Sequence, residues 1–183
     1  DNWCMLDPIK VSLLTPGMGD DGKLLDTGVP AELVAAYVGR FGIVPTRTTD
    51  YQVMFLFTIG ITKGKWATLI NTLLSFKRLY DENAPLTKAL PELAAAHPGR
   101  YGKVGLKDLG DEMFEFLKEY DPGSVLNAAY STIPEPAIKP RRAFEHVVSG
   151  AVELVPADKL AGRIAANAVM PYPPGIPMVM SGE

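Results

Sequence analysis

Thr46, Arg47 and Thr48 stand in the run "IVPTRTT" (43–49), polar side chains placed in a strand-like stretch between apolar neighbours. In an extended strand successive side chains point to opposite faces, so Thr46 and Thr48 share one face and Arg47 takes the other. Polar residues on an inward strand face mark a candidate ligand lining, although an ordinary strand carries such residues equally well. Arg163 is a second polar anchor. It lies just upstream of Pro171, Pro173, Pro174 and Pro177, which fix an extended path with few backbone donors. Arg163 is placed to tie that path to a carboxylate, with Tyr172 beside it, and both read as structural.

Other chemistry is thin. His97 precedes Pro98 at a helix end and His146 lies in a short amphipathic stretch; neither has the spacing of a metal site, and both read as structural. One cysteine and no HExxH exclude the usual zinc patterns. Asp20-Asp21-Gly22 reads as a turn, since the spaced ligands and terminal Glu of a calcium loop are missing. "TPGMGDDG" lacks the Lys-Ser/Thr pair of a phosphate loop, and no G-x-S-x-G elbow occurs. Cys4, beside Trp3, reads as a packed thiol rather than a nucleophile. No residue reads as a catalytic acid or base, and no metal site is expected.

The elements that must hold these residues follow from periodicity. "IKVSLLT" (9–15) reads as a buried strand ended by Pro16-Gly17. Pro30 suits a first helical position, with Leu33, Val34, Tyr37, Val38 and Phe41 on one face and Gly42 as the stop. Residues 43–49 and 53–60 read as strands, the second apolar throughout and so expected to be covered on both faces. Trp66, Leu69, Ile70, Leu73, Phe76, Leu79 and Tyr80 recur at helical spacing over 63–82, and Trp66 reads as core. Strand and helix alternate this far, which argues an α/β unit. After Asn83 comes a helical stretch broken by Pro and Gly. An amphipathic helix follows over 106–121, with Leu106, Leu109, Met113, Phe116, Leu117 and Tyr120 inward. Two shorter helices, "GSVLNAAYST" and "PRRAFEHVVSG", precede a strand over 151–156 and the Pro-rich tail. The reading is α/β (α+β), with a boundary near residue 82.

Composition bounds the function. Of 183 residues, 47% are apolar and 21% charged, with a net charge of −3, so a sizeable core is possible. The longest basic cluster is Lys139-Pro140-Arg141-Arg142, which is no footprint for nucleic acid or anionic membranes. No apolar run approaches the ~20 residues of a membrane helix. A single cysteine suits a reducing, cytoplasmic compartment. The start lacks both an initiator Met and a signal-peptide pattern, and the end falls among apolar prolines. Both ends are expected to be cuts in a longer polypeptide.

The segments "WCMLDPIKVSLLTPGM", "TGVPAELVAAYV", "GIVPTRTTDYQVMFLFTIGITKGK", "FKRLYD" and "GRIAANAVMPYPPGIPMVMSGE" together resemble the bacterial inducible ornithine/lysine/arginine decarboxylases, enzymes of the aminotransferase fold that use pyridoxal 5'-phosphate (PLP). The resemblance runs over essentially the whole chain, and "PYPPGIP" with the preceding "GRIAA" is its most specific part. "GIVPTRTTDYQ", "GKWATLINTL", "SFKRLYD" and "GRIAAN" favour the biodegradative arginine branch.

The resemblance implies that 1–82 form the latter part of the PLP enzyme's small domain, and 83–183 the start of a mainly helical, truncated C-terminal domain. The family's Ser-x-His-Lys motif is absent, as is the Asp that pairs with the pyridine nitrogen. The cofactor is therefore expected to be bound mainly by a large domain outside this chain, and the 183 residues alone are expected to be inactive. The implied reaction turns arginine into agmatine and CO2 with consumption of a proton, in the service of acid resistance. Thr46, Arg47 and Thr48 are expected to line or support the substrate side. Lysine and ornithine relatives carry Glu where this chain has Thr46; a Glu pairs with a terminal ammonium, whereas Thr leaves room for a longer guanidinium. Lysine relatives also bind a stringent-response nucleotide through arginines that match Pro85 and Gly105, so no such binding is expected. The intact protein is expected to form dimers assembled into decamers, and a piece of it should expose apolar surface. A lysine or ornithine decarboxylase, and a non-catalytic assembly module, remain as alternatives.

Overall fold

Val53 and Phe55 are buried while Gln52 and Met54, which alternate with them, are half-exposed, the period-two signature of a strand with one covered face. In the computed structural model, which describes residues 7–19, 23–172 and 175–183, this strand is β3 (Gln52–Leu56). It is the centre of a three-stranded sheet. β1 (Lys10–Leu14) runs antiparallel on one side with Ser12 opposite Met54, and β2 (Arg47–Thr48) runs antiparallel on the other with Arg47 opposite Met54. The strand expected to be covered on both faces is thus covered on one. β1, expected to be buried, is exposed along its length. An antiparallel sheet tolerates this, because it needs only one packed face.

The covering helix is α1 (Ala31–Gly39), which buries Ala31, Leu33, Val34, Tyr37 and Val38. It ends at Gly39, and the turn that follows closes on Gly42, whose φ of 72° is open to glycine; Phe41, expected on the buried face, lies beyond the helix and is half-exposed. α2 (Lys63–Asp81) packs Leu69, Phe76, Leu79 and Tyr80 into the same core. Tyr37 bridges the two helices: its hydroxyl lies 3.0 Å from Ser75 Oγ and its ring meets Phe76 edge-on.

The core does not stop near residue 82. It continues through Ala84, Leu86, Ala89, Leu90, Ala94, Leu106 and Leu109. These belong to three short helices, α3 (Leu86–Ala89), α4 (Pro91–Ala96) and α5 (Pro98–Tyr101), and to α6 (Leu106–Tyr120). Each of α4 and α5 starts on a proline, which ends the helix before it and suits the first turn of its own. α6 turns its buried side along Leu106, Leu109, Gly110 and Phe114. Phe116 and Tyr120, expected inward, are exposed and stack on each other at 5.9 Å. The first compact unit accordingly ends at Tyr120 and the second spans Asp121–Glu183.

The second unit opens with α7 (Pro122–Ser131), capped by the Asp121 side chain on the Ser124 N–H. α8 (Pro140–Ser149) ends at Gly150 in the left-handed region. A 3-10 turn over Ala157–Lys159 follows. The Pro-rich stretch leaves and re-enters a clasp. The Val169 N–H donates to Val179 O (2.9 Å), Ala165 N–H to Glu183 O (2.7 Å) and Gly182 N–H to Ala165 O (2.8 Å). Tyr130 ties α7 to this excursion through a hydroxyl bond to Ile176 O (3.0 Å). Residues 151–156 are not a strand here: among the described residues no neighbouring strand pairs with them. Among the described residues of this unit only Ala143 and Gly182 are buried.

Candidate functional site

The polar triplet of the first unit sits on the short edge strand. The Thr46 N–H donates to Met54 O (2.8 Å), which continues the β2–β3 ladder by one residue while leaving the Thr46 side chain exposed. Thr48 pairs with buried Val53 and so lies on the face that α1 covers; Arg47 pairs with Met54 and lies on the opposite, open face. Arg47 and Thr48 are both half-buried. The Nε of Arg47 is out of contact with solvent and has no hydrogen-bond partner among the described residues. Two residues past Thr48, the half-buried Asp50 carboxyl is held above the ordinary carboxylate range by burial alone, while its carbonyl receives the Ala31 N–H at the start of α1 (2.8 Å).

A cavity of about 470 Å³ opens nearby in the same unit, between the end of α1, β3 and the first turns of α2. Phe41, Val44, Phe57, Trp66 and Leu69 supply apolar walls, and Lys65 and Thr68 the polar rim. Trp66, read from the sequence as core, is half-exposed here. Helical spacing identified the stripe, but only the fold decides which flank of it meets the sheet.

The other two sequence-derived residues fall in the second unit. Arg163 does find a carboxylate: its Nη2 pairs with Glu153. Tyr172 is exposed, and its ring occupies the place a Cβ on Gly175 would take; Gly175 also holds a φ of 76°, which favours glycine. Arg163, Glu153, His146 and Asn167 rim a cavity of about 920 Å³ whose remaining walls are mostly aliphatic. His97, in the first unit, sits edge-on to Tyr101 at 6.1 Å. Cys4, the Asp20-Asp21-Gly22 turn, Pro173 and Pro174 lie outside the described residues. No group of three or more His, Cys, Asp or Glu side chains is gathered to hold a metal among the described residues. No helix among them is long and apolar enough to cross a membrane.

Two family models match the chain: "Orn/Lys/Arg decarboxylase, major domain" over residues 1–65 and "Orn/Lys/Arg decarboxylase, C-terminal domain" over 123–183, together more than half of it. The biodegradative arginine decarboxylase of Escherichia coli K12 is 61% identical over all 183 residues. The chain belongs to the Orn/Lys/Arg decarboxylase family. A lysine decarboxylase of Pseudomonas aeruginosa is 45% identical over the same span. Among solved structures, the E. coli constitutive lysine decarboxylase superposes on 97% of the chain with a TM-score of 0.93 at 39% identity, and covers 25% of that protein. The chain spans about a quarter of the length of the curated relatives it matches, 24% for the arginine enzyme.

His97 is followed by Pro98 and His146 by Val147, so neither precedes a lysine. Lys65, on the wall of the cavity beside α2, is exposed and reaches toward the Gly60 carbonyl (3.5 Å).

Proposed function

We propose that these residues are part of a PLP-dependent decarboxylase that converts arginine to agmatine and CO2, taking up one proton. The observation that carries the choice of arginine is the 61% identity to an arginine decarboxylase over the whole chain, against 45% and 39% to lysine decarboxylases. Thr46 supports it, because its exposed hydroxyl adds no negative charge that would prefer a terminal ammonium. In this reading residues 1–82 belong to the small domain and 83–183 begin the C-terminal domain, with the core of the first compact unit running across that boundary as far as Leu109. Thr46, Arg47 and Thr48 line or support the substrate side, and Arg163 and Tyr172 shape the Pro-rich path. PLP is held by the large domain outside these residues, so the 183-residue chain alone is inactive.

The intact protein is cytoplasmic, serves acid resistance and assembles as dimers within decamers. No nucleotide binds at Pro85 and Gly105. These two residues face each other in a single antiparallel bridge, and a Cβ on Gly105 would overlap the Asn83 side chain. Micromolar guanosine tetraphosphate should leave the intact enzyme's rate unchanged, and inhibition would refute this point.

The deciding experiment is turnover of arginine, lysine and ornithine by the intact, PLP-loaded protein, with released CO2 as readout. Preference for arginine supports the reading. Preference for lysine or ornithine would move the protein to the other branch of its family, and no turnover of any of the three would favour an assembly role.

A further inference from the structure

Residues 151–155, Ala-Val-Glu-Leu-Val, have the composition of a strand, yet among the described residues no strand pairs with them. They leave α8 and reach Pro156 without helix, turn or bend. Among the described residues no backbone N–H or C=O of residues 152–155 is hydrogen-bonded. The bonds on either side are Ala151 N–H to His146 O and Lys159 N–H to Pro156 O, both 2.9 Å. Leu154 is fully exposed at 103%. The segment is nonetheless tied down, because Glu153 pairs with Arg163. Its inner flank walls the cavity of about 920 Å³, together with Ala143, Leu160, Ile164 and Val169.

An unpaired row of backbone donors and acceptors beside an apolar hollow is the template onto which another strand adds. We infer that residues 152–155 are the receiving edge for a β-strand, and that the strand comes from the same polypeptide outside these 183 residues. This rests on the reading that the chain is part of a longer decarboxylase, and not on which amino acid is the substrate.

Two observations choose that occupant. The second unit buries only Ala143 and Gly182 among its described residues, so its aliphatic side chains have no core of their own and need covering by something always present. The matched relatives extend far beyond this stretch, which is 24% of the arginine enzyme, and a strand on the same chain arrives at high effective concentration. Its chemistry follows from the slot. Glu153 and Arg163 neutralise each other, so the edge selects no charge, and the hollow takes apolar side chains at alternate positions. Pro156, with no N–H, ends the ladder.

The test is amide hydrogen exchange on the intact protein, run beside its decarboxylation assay. The amides of residues 152–155 should exchange on the order of 100-fold slower or more than in an unstructured peptide of the same sequence, at every protein concentration. Unprotected amides would overturn the inference. Protection that disappears on dilution to monomers would also overturn it, assigning the strand to a second copy. Protection with lysine turnover in place of arginine would sink the substrate reading and leave the strand; unprotected amides with arginine turnover would do the reverse.

Discussion

The Oδ1 of Asn83 accepts the backbone N–H of both Lys107 (3.0 Å) and Asp108 (3.2 Å), so the first turn of α6 is capped by a residue 24 positions upstream. The cap works because the chain returns on itself: Leu86 N–H bonds Val104 O (2.9 Å) and Leu106 N–H bonds Ala84 O (2.8 Å). Asn83 holds a φ of 47°, a left-handed conformation that Asn tolerates better than most residues. Asn83→Ala should lower stability by about 1–2 kcal/mol from the lost cap, with backbone strain in addition. Asn83→Gly loses the same cap without that strain and should fall between the two. Denaturant midpoints of the three proteins check the order; equal midpoints for the Ala and Gly variants would remove strain from the account.

Phe114 is buried against two glycines. Its ring fills the place where a Cβ on Gly17 or Gly28 would sit, and it meets Tyr51 edge-on at 5.9 Å. Phe114→Ala should cost about 3–5 kcal/mol through the cavity it leaves. Gly28→Ala should cost about 1–3 kcal/mol through overpacking. Combining Gly28→Ala with Phe114→Leu should cost less than the sum of the two single changes, because the smaller side chain makes room. A double-mutant cycle by thermal or chemical unfolding measures the coupling, and strict additivity would contradict the packing.

Much of this architecture is legible in the sequence. The helical period over 63–82 follows from Leu69, Phe76 and Tyr80, all of which are buried, and the Pro-Gly breaks after Asn83 do divide α3, α4 and α5. What periodicity cannot supply is the identity of the neighbour. Phe116 and Tyr120 lie at helical spacing with Leu109 and Met113, yet it is Phe114 that points into the core, because Gly17 and Gly28 from a distant loop leave room only there. The composition of 151–156 predicts a strand, and composition is silent about whether a partner strand is at hand. The Thr46–Thr48 alternation is plain in the sequence, but the placement of Thr48 toward α1 and Arg47 toward the open face depends on a ladder with Val53 and Met54 that no local pattern encodes.

Tyr80 predicts an alkaline dependence. Burial, and then the neighbouring Asp111 carboxylate, push its hydroxyl up to about 12, and it donates to the Gly28 carbonyl (3.3 Å). The folded state therefore keeps a proton that the unfolded chain loses near its ordinary 10.0. This contribution is complete below pH 10 and fades as pH rises toward 12. Tyr80→Phe should remove that part of the slope at a cost of about 0.5–1.5 kcal/mol at neutral pH from the lost hydrogen bond. Unfolding free energies measured across the alkaline range test it, and an unchanged slope in the Phe variant would assign the dependence elsewhere.

Asp50 predicts the opposite flank. Burial raises its carboxyl, so the ionised form is disfavoured in the folded state. Because the folded value lies above the unfolded one, stability should rise as pH falls from just above the folded value toward 3.8. Asp50→Asn should flatten that rise and be neutral to slightly stabilising at pH 7. Acid-range unfolding of the two proteins is the check. A marked loss of stability at pH 7 in the Asn variant would mean that the carboxylate has a cationic partner in the folded protein.

Thr46→Glu carries the substrate argument. The Thr46 backbone is fixed by its bond to Met54 O (2.8 Å) whatever the side chain, and the side chain is exposed, so the substitution should leave the fold and its melting temperature unchanged. In the intact enzyme the added carboxylate should shorten the space for a guanidinium and reward a terminal ammonium. We expect kcat/KM for arginine to fall about tenfold or more, equivalent to about 1.4 kcal/mol of transition-state binding, and the lysine-to-arginine ratio to rise. A loss on both substrates with a lowered melting temperature would indicate a folding defect, which the melting curve separates. Unchanged kinetics with both substrates would remove Thr46 from the site and leave the choice of arginine resting on overall identity alone.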